Sequence, residues 1–182
     1  LSPEVRQFCE ALRRFVEHEV EPRSRWIEEH DTVPEELMQM ARDLGLFGIT
    51  IPEEYGGAGF NLAAKCAVEE DLGKSNYGFA SIIANHTGIA TTGIVALGTE
   101  AQKRKYLPRM ATGELIGCFA LTEPAAGSDP SAMRASAVRK GDRYVLEGEK
   151  IYITNAGIAG VFTVMAVTEK SKGAKGISAF IV

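Results

Sequence analysis

Cys118-Phe119-Ala120-Leu121-Thr122-Glu123-Pro124-Ala125-Ala126-Gly127-Ser128-Asp129 is an apolar run that breaks at a proline into a small, polar, glycine-containing loop. More than a hundred residues with helical patterning precede it, and only strand-like segments follow. The stretch therefore marks a junction between two architectures. Ligand sites favour such junctions.

Upstream, Ser2 can cap and Pro3 can open a helix whose apolar residues fall at Val5, Phe8, Cys9, Leu12, Phe15, Val16 and Val20. Pro22 should end or bend it. Thr32-Val33-Pro34-Glu35 has the form of a capping box for a second helix through Leu37, Met38, Ala41 and Leu44, with Gly45 as its stop. Ile49-Thr50-Ile51-Pro52 reads as an extended connector, and Tyr55-Gly56-Gly57-Ala58-Gly59-Phe60 as a loop with several residues free to take positive φ. Asn61 can cap a helix through Ala64, Ala67, Val68 and Leu72. A further helix, rich in Ala, Ile and Gly, covers residues 77–97. Thr99-Glu100-Ala101-Gln102 is another capping box, and Pro108 should kink or close the helix it opens.

After Gly113 the period becomes alternating. Strands are expected over residues 116–121, 135–139, 143–146, 150–154, 162–168 and 177–182, with Lys140-Gly141-Asp142 as a hairpin signal. Strands that follow helices, rather than alternate with them, give an α+β fold class. We expect an all-α domain over residues 1–114 and an incomplete antiparallel β-barrel or sandwich-like domain over residues 115–182. The last residues, Ala179-Phe180-Ile181-Val182, are strongly apolar, so the sheet is expected to need more polypeptide or a partner chain. The start, without methionine, is expected to reflect trimming or processing.

The chain has 182 residues, 45% apolar and 24% charged, with a net charge of -4, which suits a globular protein and supplies no basic field for nucleic acid. Cys9, Cys66 and Cys118 lie far apart among apolar neighbours and read as buried reduced thiols in a reducing compartment. Apolar runs break before the roughly 20 residues of a membrane span, and the N-terminus lacks a signal-peptide pattern. His18, His30 and His86 are isolated, without metal-ligand spacing, so no metal is expected. No G-x-S-x-G elbow accompanies Ser128. Glu69-Glu70-Asp71 reads as part of a solvated helix face. Gly57-Ala58-Gly59 has Leu62 where a dinucleotide fingerprint needs glycine, which makes it a structural turn.

Residues 122–129 fit either a polar turn or an anion and heterocycle site. A strand end offers backbone donors and acceptors, Thr122 and Ser128 offer hydroxyls, and small residues permit close approach to phosphate.

Several blocks together carry a resemblance: Leu44-Gly45-Leu46-Phe47-Gly48-Ile49-Thr50-Ile51-Pro52-Glu53-Glu54-Tyr55-Gly56-Gly57, Gly98-Thr99-Glu100-Ala101-Gln102-Lys103, Tyr106-Leu107-Pro108, Thr122-Glu123-Pro124 and Tyr152-Ile153-Thr154-Asn155. In order and spacing the chain resembles the N-terminal helical domain and the first part of the middle β-domain of acyl-CoA dehydrogenases. The resemblance implies FAD as cofactor. Phe119, Ala120, Leu121 and Thr122 would line the flavin ring, with Thr122 on its pyrimidine side. Gly127 and Ser128 would meet the pyrophosphate, with Ser128 also near the acyl-CoA substrate. Tyr152 and Ile153 would flank the isoalloxazine, and Thr154 would hydrogen-bond near N5. Phe119 stands where many members have Tyr, Ala125 where Gly is usual, and Tyr152 where Trp is commonest, departures that bear on substrate preference.

The implied reaction is α,β-dehydrogenation of an acyl-CoA thioester: a carboxylate removes the α-proton while the β-hydrogen leaves as hydride. Electron-transfer flavoprotein would take the electrons, and the protein would be a homo-oligomer, tetramer or dimer, in bacterial cytoplasm or the mitochondrial matrix. The family's catalytic Glu belongs to a C-terminal helical domain, so no catalytic residue is expected here and these residues alone are expected to be inactive. An oxidase-like flavoenzyme and a non-catalytic binding or assembly module are the alternatives.

Overall fold

Ser2 Oγ accepts the Val5 N–H at 3.2 Å, and Pro3 opens α1 (Pro3–Phe15), which buries Val5, Cys9 and Leu12. The computed structural model describes residues Leu1–Val182, which form two compact units, Leu1–Leu115 and Ile116–Val182. In the first unit the chain does not stop at Pro22. A π-helical turn (Val16–Val20) and a 3-10 turn (Glu21–Arg23) carry it into α2 (Ser24–His30). Proline at the second position of that short turn gives up an N–H that the turn has little use for.

The capping box expected at Thr32 does not form. Pro34 itself is the N-cap of α3 (Glu35–Asp43) and offers no side-chain acceptor, so the cap falls two residues after Thr32 and the first turn leans on the Pro34 carbonyl. Gly45 does end it, at φ 77°. Residues 46–51 are not extended. They wind through a 3-10 turn, Leu46–Gly48, and bury Leu46, Phe47, Ile49 and Ile51, because four large apolar side chains so close together are better covered by a coiled-up chain than by a lone strand.

Asn61 Oδ1 caps α4 (Leu62–Leu72) through the Ala64 N–H, as expected. Its acidic run is only partly solvated. Asp71 is 4% exposed, with Arg13 Nε at 2.9 and 3.0 Å from its two oxygens and Lys74 Nζ at 2.9 Å. Cys66 is exposed, contrary to the expectation of three buried thiols. Cys9 and Cys118 are buried, and all three are free.

The helix over residues 77–97 is α5 (Tyr77–Asn85), a π-helical turn (His86–Ala90) and α6 (Thr91–Leu97) in succession. At 21 residues with mean hydropathy 1.3 it is long and apolar enough to cross a membrane, against the sequence expectation. One side of it, with Phe79, Ile83, His86, Thr87, Thr91 and Ile94, is buried within the unit. Three threonines, Thr87, Thr91 and Thr92, return their hydroxyls to carbonyls four residues back. In α7 (Glu100–Ala111) both halves of the Thr99–Gln102 capping box are made, and Pro108 sits inside the helix without ending it.

The second unit is a five-stranded mixed sheet: β1 (Gly117–Ala120), β2 (Ser136–Lys140), β3 (Arg143–Glu147), β4 (Val161–Val167) and β5 (Ile177–Ile181), in the order β1-β4-β2-β3 with β5 on β4. The sheet follows the helices as expected, but its pairing is not purely antiparallel. β1 runs parallel to β4, with Phe119 opposite Thr163, and β2 meets β4 in parallel at Ser136 and Val167. The β2–β3 and β4–β5 pairs are antiparallel. The β2–β3 hairpin turns on Gly141-Asp142 with Gly141 at φ 66°, the left-handed geometry that a two-residue hairpin loop requires. β1 comes before a long excursion and β4 after it, which is what lets them run side by side in the same direction.

Candidate functional site: the end of β1 and the loop beside it

The strand expected over residues 150–154 is absent. Its alternating Ile151 and Ile153 suggest a strand, but Tyr152 and Asn155 take left-handed backbone, φ 55° and 70°, which no regular ladder accepts. The segment instead follows β1 through scattered bonds. Lys150 Nζ donates to Leu121 O at 2.9 Å, Ile151 N to Thr122 O at 3.0 Å, Asn155 Nδ2 to Gly117 O at 3.3 Å and Gly160 N to Ile116 O at 2.9 Å. Turns closed by Ala156 N to Ile153 O and Ile158 N to Asn155 O complete the loop.

The two blocks singled out in the sequence therefore lie side by side. Phe119 and Ala120 end β1, Leu121 and Thr122 follow directly, and Tyr152, Ile153 and Thr154 occupy the loop bonded along them. The pleat divides the first group: Cys118 and Ala120 are buried on one face, and half-buried Phe119 points to the other. A planar ring against this strand would thus meet alternate side chains and the backbone edge. Burial pushes the Cys118 thiol up to about 11, leaving it protonated and inert.

Beyond Thr122 the chain reverses. Glu123 and Ala126 exchange both backbone bonds, at 3.0 and 3.1 Å, around Pro124-Ala125. Gly127 and Ser128 follow, exposed. Asp129 Oδ1 then accepts the Ser131 N–H at 3.0 Å and fixes the far side of the loop. A Cβ added to Gly127 would touch nothing within 4 Å, and its φ lies outside the left-handed region. Nothing in the fold itself requires glycine there.

Sequence reasoning passed over the group that organises the site. The Glu123 carboxylate is 5% exposed and accepts Lys150 Nζ at 2.8 Å, Arg134 N at 2.6 Å and Ala135 N at 3.0 Å. Burial raises its pKa, but the hydrogen bond from Lys150, those from the two N–H groups and the Lys150 charge outweigh burial and hold it below the usual carboxylate range. The available signal was a carboxylate between an apolar strand and a proline, a position with little reason to be charged unless paired. No group of three or more His, Cys, Asp or Glu is arranged to hold a metal.

The acyl-CoA dehydrogenase N-terminal domain model matches residues 2–114, and the acyl-CoA dehydrogenase middle domain model matches residues 118–182. The short-chain specific acyl-CoA dehydrogenase of Clostridium acetobutylicum is 42% identical over 182 residues, all of this chain and 48% of that protein. The butyryl-CoA dehydrogenase structure from Megasphaera elsdenii has a TM-score of 0.93 at 34% identity, covering all of this chain and 49% of that one. An acyl-CoA dehydrogenase from Bacillus anthracis, solved in complex with FAD, has a TM-score of 0.88 at 38% identity, covering all of this chain and 31% of that one. The chain belongs to the acyl-CoA dehydrogenase family. It spans about half the length of the curated relatives it matches, 48% of the first and 45% of the second.

Proposed function

We propose that this chain supplies the flavin-binding part of an FAD-dependent acyl-CoA dehydrogenase. The observation that carries the reading is Tyr152. The residue is 89% exposed, and its backbone sits at φ 55°. A left-handed non-glycine residue costs about 1–2 kcal/mol, and leaving a large aromatic in water forfeits its burial. Both costs fall on one residue beside an open strand end, which is what a stacking surface for a planar ligand looks like before the ligand binds.

The residues present fit FAD. Tyr152 and Ile153 would flank the isoalloxazine, Thr122 would bind its pyrimidine side, and the Thr154 hydroxyl would reach toward N5. Gly127 and Ser128 would let backbone and hydroxyl donors approach the pyrophosphate, with Ser128 also near the acyl-CoA. Bound FAD supplies the two-electron acceptor for acyl-CoA oxidation. The chain's own part is to orient that acceptor and shield it from water, and no residue among these 182 is assigned as the base. Acyl-CoA as substrate, electron-transfer flavoprotein as electron acceptor, a dimeric or tetrameric assembly, and a cytoplasmic or mitochondrial-matrix setting belong to the same proposal. The whole protein should be yellow and should bleach anaerobically with an acyl-CoA; a protein that retains FAD but never bleaches with any acyl-CoA contradicts it.

Two substitutions separate binding from folding. Gly127→Ala has room for its methyl, so stability should stay within about 0.5 kcal/mol while the FAD dissociation constant rises roughly tenfold, about 1.4 kcal/mol. Equal FAD affinity in the variant, by fluorescence titration, would remove the pyrophosphate from this loop. Tyr152→Gly relieves the left-handed backbone and should leave the melting temperature unchanged or higher, yet weaken FAD by a similar factor through lost stacking of about 0.5–1.5 kcal/mol or more. Loss of stability without loss of FAD affinity would show that Tyr152 serves the fold.

A further inference from the structure

We propose that Glu123 and Lys150 form a positioning pair that holds the three segments of the cofactor site in mutual register without touching the cofactor. The inference rests on the FAD reading above. Three chain segments meet at this pair. Glu123 directly follows Thr122, three residues beyond the end of β1, which carries Phe119. Its carboxylate accepts the N–H groups of Arg134 and Ala135, at 2.6 and 3.0 Å, where the loop holding Gly127 and Ser128 returns to the sheet. Lys150 Nζ binds Glu123 at 2.8 Å and Leu121 O at 2.9 Å, and the next residue, Ile151, bonds Thr122 O, which places Tyr152 and Thr154.

Side-chain exposures of 11% for Lys150 and 5% for Glu123 put both charges largely out of water. A buried ion pair contributes little net stability against an apolar pair of the same volume, because desolvation consumes most of the attraction. What this pair offers is directional: four hydrogen bonds that fix six atoms relative to one another. The packing beside it is equally specific. Gly148, at φ 153°, passes so close to Ala135 that a Cβ would lie 2.5 Å from the alanine Cβ, so the chain approaching Lys150 is pressed against the residue whose N–H binds Glu123. Ligand affinity gains when loops are held in their bound arrangement beforehand.

The test uses the whole protein and the variants Lys150→Met, Glu123→Gln and Glu123→Gln/Lys150→Met. Amide hydrogen exchange without FAD reads the register directly. Lys150→Met should speed exchange at Arg134, Ala135 and Ile151 while leaving β4 and β5 protected as in the parent. FAD affinity should fall at least roughly tenfold, and the circular dichroism of bound flavin should change, well below each variant's melting temperature. Should Glu123→Gln fail to fold, Lys150→Met, which leaves Glu123 its two backbone donors, decides alone. Unchanged exchange at the three amides, or unchanged FAD affinity and flavin dichroism once exchange there has accelerated, would overturn the proposal. A parent protein that binds no FAD sinks the FAD reading and this inference with it, whereas failure of the exchange result in a parent that does bind FAD sinks the inference only.

Discussion

Alanine at Gly57 is expected to cost the helical unit at least about 3 kcal/mol, enough to leave much of the protein unfolded or insoluble. A Cβ at this position would stand 2.0 Å from Ile51 O and 2.5 Å from Gly48 O, both backbone atoms that no rotamer change can move aside. Those carbonyls are already committed: Gly48 O accepts Ile51 N and Ala58 N, Ile51 O accepts Gly59 N, and Phe60 N closes on Ile49 O at 2.7 Å. The turn carrying buried Ile49 and Ile51 lies back to back with the glycine loop, so making room for a methyl means pulling core side chains out. Neighbouring Gly56 provides the contrast. It has φ 85° with nothing within 4 Å, and Gly56→Asn should cost less than about 1 kcal/mol. Denaturant midpoints measure both, and a Gly57→Ala protein within about 1 kcal/mol of the parent would refute this packing.

The second large effect is acid sensitivity centred on His86. Its ring is 0% exposed, meets Phe47 edge-on at 5.3 Å and lies with Nε2 3.1 Å from Met110 O. Burial lowers its pKa to about 4, outweighing the backbone hydrogen bonds to Met110 and Phe47 that favour the charged form. The folded protein therefore keeps the ring neutral while the unfolded chain takes up a proton below about pH 6.5. Unfolding then binds protons, so stability falls as pH drops from about 6.5 toward 4, by about 3 kcal/mol in all, and the full contribution is present above that window.

Asp71 and Glu123 add to the acid lability at lower pH. Burial raises both, but hydrogen bonds from Arg13 and Lys74, and from Lys150 and two N–H groups, hold them below the usual range, so their stabilisation is present when ionised and lost as each takes a proton. The ring resonances of His86 should stay flat by NMR down to about pH 5, and the unfolding free energy should fall across the same interval. Titration of His86 near pH 6.5 in the folded protein would contradict the burial argument.

Much of this was legible in the chain because local chemistry decided it. Ser2, Asn61 and Thr99 are caps that need only residues three positions away, and Gly141 follows from the hairpin turn it must make. What escaped depended on partners distant in sequence. Thr32 loses its capping role to Pro34, whose carbonyl receives Leu37 and Met38. Asp71 is drawn out of a solvated acidic run by Arg13, 58 residues away. Residues 150–154 alternate like a strand, yet Lys150 finds Leu121 and Glu123 at separations of 29 and 27 residues, and the backbone twists into left-handed conformations to follow. The candidate site divides the same way: Phe119, Thr122, Ser128, Tyr152, Ile153 and Thr154 stood out by residue type and resemblance, whereas the Glu123–Lys150 pair depends on three-dimensional convergence.

The most direct measurement is a crystal structure of the whole protein saturated with FAD. The account predicts the isoalloxazine stacked beside Tyr152, its pyrimidine edge on Thr122 and the pyrophosphate over Gly127 and Ser128. Flavin density elsewhere, with the end of β1 and the Tyr152 loop facing solvent, would contradict it.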